Sequence, residues 1–517
     1  MTLIRFARMC ESLESTTPTK AADIINQSIS SFDNKEALID ILCEYYPTNN
    51  IGSKRAYSWI ANAFGIFEEE IKSAEYSWLD LSEAMGQFVG NNVEDSNISL
   101  SVLHRLLTLD CSTIDGNSFI LFKEHITKMS GIEVKWFLRY WLRLPRNGVT
   151  ELVVSKALVK YYSNPKILEY VKYHTLTNVC VYLDNGNEPT TTAEHGLFIK
   201  PMLAKNWNTS NSLPLEYVMD VKYDGNRYQI HKYNQKVIIF NRKGKVVTNQ
   251  YTDVKKIVQG FDGSFIIDTE IYPVDLEGKP VNHKLLAKRV HSKDKQQAIE
   301  ECPVRIAIFD IMMFMGESLL EEKYRDRLIH LKGIPSEYLS LMYNRDYTGA
   351  IVDMSFEAAY NSAINDGYEG IMIKDLNSTY DVGRRSSNLL KHKPPRIELD
   401  VVITSASYGE GKLSDVFGSY GISVKEDGEY IQIGSVGTGF SDLQRRILTT
   451  ELKKIVDVFY NGVFHFLPRR VIQVTADMIQ MDNEGKYALR FPRLVRLRDD
   501  KFPSEVNTID DLKQMSF

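Results

Sequence analysis

The residues best suited to chemistry in this chain form one short run. Lys222-Tyr223-Asp224-Gly225-Asn226-Arg227 follows directly on the apolar, strand-like segment Tyr217-Val218-Met219-Asp220-Val221. A lysine at a strand end, partly buried beside other cations, loses its proton near neutral pH and can attack an α-phosphate. An Asp-Gly turn lets backbone come close to a nucleotide, and the arginine offers a fixed planar charge to ribose or phosphate oxygens. The same Asp-Gly pair also makes ordinary hairpin turns. On its own, therefore, the run leaves both readings open.

Seven further segments can be set beside it. Lys200-Pro201-Met202-Leu203-Ala204 precedes it, and Asn241-Arg242-Lys243-Gly244, Asp268-Thr269-Glu270 and Phe309-Asp310 follow. Then come Glu369-Gly370-Ile371-Met372-Ile373-Lys374 and Arg385-Ser386-Ser387-Asn388-Leu389-Leu390-Lys391-His392-Lys393. Near the end stands Arg490-Phe491-Pro492-Arg493 with Arg498-Asp499-Asp500-Lys501. Singly, each has a plain alternative: Glu270 and Glu369 as solvated strand-end acids, Phe309 as core, and the lysines and arginines as an exposed basic run. As an ordered set they resemble the motifs of the ATP-dependent DNA ligases of eukaryotes, archaea and large DNA viruses.

That resemblance implies Lys222 as the nucleophile that carries AMP, ATP as cofactor, and Mg2+, or Mn2+ in its place, held by Glu270 and Glu369. It implies adenine reading by Asp220, stacking by Phe309, and ribose contact by Glu270. Arg227, Arg242, Arg385, Lys391 and Lys393 would serve the nucleotide and its α-phosphate, while Arg490, Arg498 and Lys501 would reach the outer phosphates. The implied reaction is nick sealing in duplex DNA in replication, repair or recombination, through a lysyl-AMP and then a DNA-adenylate. Three positions depart from the pattern: Leu389 where tryptophan is usual, Asn226 for Glu or Gln, and Asp220 for Glu. Asp220 is one methylene short, which weakens adenine reading unless the strand shifts.

These residues need elements to hold them. Residues 1 to about 183 carry apolar side chains at three- and four-residue spacing, so a helical domain is expected over 1–190. Its best-patterned helix runs from Ile132 to Leu144, with Lys135, Arg139 and Arg143 on one side at i, i+4 and i+8. A solvated face is the plain reading of that stripe. The segment from Glu133 to Glu151 resembles the ligase DNA-binding helix and turn, and that implies DNA contact by the three cations. After a polar, turn-rich linker over 184–196, β-rich runs predict an α+β nucleotidyltransferase domain over 197–395. Strands with glycine turns then predict an all-β OB-fold domain over 396–517. Leu399-Asp400-Val401, Tyr408-Gly409-Glu410-Gly411-Lys412 and Val436-Gly437-Thr438-Gly439-Phe440 resemble the family's landmarks there.

Bulk properties set the outer bounds. With 517 residues, 43% hydrophobic and 25% charged, the chain has ordinary globular composition and several domains. A net charge of -5 is near neutral for this length and argues neither way, so any DNA contact must come from local patches. Five scattered cysteines suit a reducing compartment and exclude a four-cysteine zinc site. Without a long apolar run or leader-like start, the chain is expected inside the cell at DNA: a prokaryotic cytoplasm, a nucleus or a virus factory. A monomer acting on nicked duplex DNA is expected, with no clamp or recruitment partner assigned. No Walker A sequence is present. The nearest rival is an RNA-capping guanylyltransferase or RNA ligase, and a more distant one is a non-catalytic OB-fold binder. Against the first stand the helical region, the Lys200–Ala204 segment and the Arg490–Lys501 ending. A relic binder has no reason to keep Lys222, Glu270, Glu369 and Lys391 together.

Overall fold

A computed structural model describes residues 3–515 apart from 15, 33, 47–50, 79, 91–93, 112–115, 208–211, 282, 293, 348, 395, 410–412, 414–415, 461 and 482–484. By contacts the chain divides into two units, Pro165–Pro394 and the remainder, Met1–Asn164 with Pro395–Phe517. Among the described residues no helix is long and apolar enough to cross a membrane.

The first segment is all-helical, and Gly131–Trp141 runs through its centre. Trp136, Phe137, Leu138, Tyr140 and Trp141 are all fully buried, which places side chains of every helical phase out of water. The Ser130–Glu133 capping box starts this helix. Gly131 then lets it press on Leu81–Val89, because a Cβ there would collide with the Gly86 carbonyl. The basic stripe consequently does not face solvent, contrary to the solvent-facing stripe expected of it. Lys135 is 9% exposed and bonds Glu11 at 3.0 Å, Glu14 at 3.3 Å and Glu83 at 2.8 Å. Arg139 is 5% exposed and meets Glu14 at 2.7 Å and Asp80 at 3.3 Å. Arg143 donates to the carbonyls of Glu44 and Tyr46 and lies 3.7 Å from the Tyr46 ring centroid. Helical spacing reports which residues share a face; the acids that cover this face come from distant helices.

The Pro165–Pro394 unit opens with the short helices Ile167–Tyr170 and Leu176–Asp184, although the helical periodicity of the sequence runs through them without a break. Its strands are β1 (Leu203–Asn206), β2 (Tyr217–Lys222), β3 (Asn226–Tyr233), β4 (Lys236–Asn241), β5 (Phe265–Pro273), β6 (Val304–Phe314), β7 (Glu317–Ser318), β8 (Gly370–Asp375) and β9 (Arg385–His392). They form two sheets, ordered β1-β9-β8-β2 and β4-β3-β5-β6-β7. Tyr223-Asp224-Gly225 carries the chain from the first sheet to the second, so Lys222 sits at the crossover. Burial of Val218, Ile230, Ile239, Ile267 and Ile308 in one cluster builds the core that holds the sheets.

The final segment is all-β, with β10 (Ile397–Tyr408), β11 (Phe417–Glu426), β12 (Glu429–Val436), β13 (Val456–Tyr460), β14 (Val463–Ala476), β15 (Met478–Met481), β16 (Tyr487–Arg490) and β17 (Arg493–Leu497). The main sheet is ordered β12-β11-β10-β14-β13, with β17 also on β14. Leu448 and Leu452 of the Asp442–Leu452 helix close its core against Val401, Phe417 and Ile472. Glu410, Gly411 and Lys412 of the glycine-turn landmark lie outside the described residues.

Candidate active site

Lys222 ends β2, where it pairs in register with Gly370 of β8. The backbone N–H of Glu369 donates to the Lys222 carbonyl at 2.9 Å, and the Glu369 carboxylate takes Lys222 Nζ on one oxygen and Lys393 Nζ on the other. Burial pushes the Glu369 carboxyl upward, but the two lysines outweigh it and hold the group below the usual carboxylate range. Lys391 is part-buried, and its pKa is lowered by that burial and by neighbouring Lys393, Lys222 and Arg385.

Gly225 makes the crossover fit. A Cβ there would collide with the Ile271 carbonyl of β5 and come within 3.0 Å of Glu270 Cγ. Glu270 is thereby packed against the turn that follows Lys222. Burial pushes its carboxyl up to about 8, against the opposing pull of Lys222 and Arg227. Without a ligand, burial therefore favours its protonated form.

Arg227, opposite Glu270 on β3, has most of its donors engaged. Nε meets Asp268 Oδ1 at 2.8 Å, Nη1 donates to the Met202 carbonyl at 2.6 Å, and Nη2 reaches Asp268 and the Tyr380 hydroxyl. Its guanidinium also lies 5.3 Å from the Phe309 ring centroid. Phe309 is half-buried, and Lys374 Nζ stands 4.8 Å from the same ring. Lys374 further donates to the Phe309 carbonyl at 3.1 Å and the Tyr324 hydroxyl at 3.0 Å. Asp310 is held by a bidentate pair with Arg327 at 2.8 and 2.9 Å.

Asp220 is 1% exposed, with its carboxylate bonded to Lys374 and the Ser340 hydroxyl. Its position is behind the Phe309 ring's support, with both oxygens already satisfied. Sequence reasoning missed Lys374, Asp268 and Tyr380 as parts of this framework. The signals were present: Asp268 alternates with Glu270 on one strand, and Lys374 closes the Glu369–Lys374 motif.

Arg242 is exposed in the tight β4 turn, where Asn241 Oδ1 accepts from the Lys243 and Lys245 amides at 3.0 Å. Arg385 is exposed at the start of β9 and donates to the Ala204 carbonyl. Arg490, Arg498 and Lys501 belong to the other unit. There Arg498 Nη1 donates to both oxygens of Asp400 at 2.7 and 2.8 Å, while Nε and Nη2 make a bidentate pair with Asp500 at 2.8 and 2.9 Å. Lys501 bonds Asp400 at 2.8 Å.

Among the described residues no group of three or more His, Cys, Asp or Glu side chains could hold a metal ion. Glu369 and Glu270 are nevertheless electrostatically coupled. Two carboxylates completed by phosphate oxygens and water are the donor set that suits Mg2+, which is seldom caged by protein alone.

Comparison with known proteins agrees along the whole chain. The family model for the ATP dependent DNA ligase domain matches residues 201–393, that for the DNA ligase N terminus residues 2–159, and that for the ATP dependent DNA ligase C terminal region residues 414–501. The DNA ligase of Methanocaldococcus jannaschii is 32% identical over 419 residues, 75% of this chain and 73% of the relative. DNA ligase 2 of Methanosarcina acetivorans is 29% identical over 556 aligned residues, 98% of this chain and 96% of the relative. The solved structure Pmar-Lig_Pre shares the fold, with a TM-score of 0.59 at 18% identity over 96% of this chain and 99% of that one. On these grounds the chain belongs to the family of ATP-dependent DNA ligases.

Proposed function

We propose that this ligase seals nicks by forming a lysyl-AMP at Lys222, passing the AMP to the 5′-phosphate of the nick, and joining the 3′-hydroxyl with loss of AMP. The observation that carries the reading is the Lys222–Glu369–Lys393 bridge at the crossover between the two sheets. It sets an amine nucleophile beside a second lysine able to receive the phosphate it attacks.

In the first step Lys222 Nζ attacks the α-phosphorus of ATP and pyrophosphate leaves. Lys391, Lys393 and Arg385 draw charge from the α-phosphate, and Arg490, with Arg498 and Lys501 once released from Asp400 and Asp500, would serve the outer phosphates. Such positioning and charge stabilisation is the main catalytic resource in phosphoryl chemistry. Phe309 offers its ring to the base, and Glu270 and Arg242 serve the ribose side. Arg227 acts as a strut, since Asp268, Tyr380 and Met202 take most of its donors. Asp220, with its carboxylate spent on Lys374 and Ser340, supports the pocket from behind. Glu270 and Glu369 would hold Mg2+ or Mn2+, which when bound neutralises phosphate charge. Release of Lys222 from Glu369 then frees the nucleophile.

We divide the protein functionally as a helical DNA-binding domain over 1–190, an adenylation domain over 197–395 and an OB-fold domain over 396–517. The helical domain would meet the duplex through surfaces other than Lys135, Arg139 and Arg143, whose charges are already matched. A monomer on nicked duplex DNA is the proposed working form. Incubation with Mg2+ and labelled ATP or GTP, followed by addition of nicked DNA, tests the reading. ATP alone should label the protein, and nicked DNA should remove the label as the strand closes. Labelling by GTP alone would turn the assignment to the guanylyltransferase class.

A further inference from the structure

We propose that His392 is a positioning residue that fixes Lys391 and Lys393, an inference resting on the assignment of those lysines to the α-phosphate. Alternate side chains of a strand point to opposite faces. His392, the last residue of β9 and flanked by Lys391 and Lys393, therefore points away from Lys391, and the far face encloses its ring. The His392 centroid lies 5.3 Å from Trp207, 5.2 Å from Phe356 and 5.0 Å from Tyr360, each in an edge-to-face arrangement. Trp207 and Phe356 meet each other at 4.7 Å and close the box.

Hydrogen bonds join this box to the lysine backbone. His392 Nδ1 lies 3.3 Å from the Trp207 carbonyl, and the Trp207 N–H donates to the Lys391 carbonyl at 2.9 Å. On the other edge of β9, Gly370 has φ +144°, and a Cβ there would collide with the His392 carbonyl and approach the Lys393 Cα at 3.2 Å. The backbone of His392 and Lys393 is thus pressed against the residue next to Glu369, whose carboxylate carries Lys222 and Lys393. One side chain, gripped from three directions, sets where both lysines emerge. Displacement by about 1 Å at a phosphate-holding group costs on the order of a hundred-fold in rate.

A double-mutant cycle in the full-length protein tests this. His392→Ala should slow single-turnover lysyl-AMP formation at saturating ATP by roughly ten-fold or more. Closure of a pre-adenylated nick should slow similarly, because the same lysines face the reacting phosphate. His392→Phe refills the box and should restore most of the rate. In a Lys391→Ala background, His392→Ala should add less than its own factor, since one of the two positioned groups has gone. Wild-type rates in His392→Ala, or a loss that multiplies undiminished onto Lys391→Ala, would overturn the proposal. If the alanine variant does not fold, His392→Leu and His392→Gln run the same cycle with the same criteria. Wild-type adenylation by Lys391→Ala alone would sink the lysine assignment itself, and is a separate result.

Discussion

Two clusters of packed charge, one in the helical segment and one at the sheet crossover, are built from the same residue types and come out oppositely. Around Lys135, Arg139 and Arg146 stand Glu11, Glu14, Asp80 and Glu83, and every cation has a carboxylate within 3.0 Å. Burial pushes Asp80 upward, but Arg146 and Arg139 reverse this and hold it below its usual range. At the crossover, Lys222 and Lys393 share the carboxylate of Glu369 with Lys391 close by, while burial drives Glu270 up to about 8 and so favours its uncharged form. The first cluster is a closed structural lock. The second keeps positive charge in hand, which is what a site awaiting a triphosphate needs.

The largest effect that would sharpen this contrast comes from Glu369→Ala. It should reduce lysyl-AMP formation by roughly a hundred-fold or more, since it removes the group joining Lys222 to Lys393 and one carboxylate proposed for the cation. Stopped single-turnover adenylation reads this; near-normal rates in limiting magnesium would place the metal elsewhere. Next in size is a split produced by Arg498→Ala with Lys501→Ala. Only the first step contains the outer phosphates, so adduct formation from ATP should fall by about ten-fold or more, while closure of a pre-adenylated nick at saturating enzyme should largely survive. Equal losses in both assays would end that division of labour.

In the closed cluster, Arg139→Ala should cost about 1.5–3 kcal/mol of stability, because it removes a buried guanidinium's charge-assisted bonds while Asp80 keeps Arg146 and Glu14 keeps Lys135. Adenylation per folded molecule should not change. Denaturant melts paired with adduct yield measure both, and a specific loss of nick affinity at full folding would restore a DNA-facing role for the helix. The smallest effect concerns Glu270. Its folded pKa is raised, so its stabilising contribution is complete below about 4.5 and is lost as pH rises through about 8. Glu270→Gln should flatten this part of the stability curve of the ligand-free protein, and an unchanged slope would show that Glu270 is not the group responsible.

Much of the candidate site's geometry was legible because its residues sit in short runs: the Lys222–Arg227 crossover, the Glu369–Lys374 strand and the Lys391–Lys393 alternation each encode their own local geometry. The switch from helical periodicity to β-rich runs was legible for the same reason. What escaped depends on partners far apart in sequence. Lys135 is paired with Glu11 and Arg139 with Glu14 and Asp80, so an i, i+4, i+8 stripe that reads as solvated is buried. Arg227 and Asp220 likewise look like ligand contacts until Asp268 and Lys374 are found holding them. The short helices between Ile167 and Asp184 carry the same periodicity as those before them, and only contacts group them with the strands that follow.

The central claim is that the unspent charge at the crossover serves a nucleophile, Lys222. The most direct measurement is to incubate the full-length protein with ATP and Mg2+, digest it under conditions that preserve the phosphoramidate, and map the AMP by mass spectrometry. The account predicts a gain of one AMP on the peptide carrying Lys222, and none anywhere in a Lys222→Ala protein that folds normally. An adduct on another residue, or undiminished labelling of the Lys222→Ala protein, would contradict it.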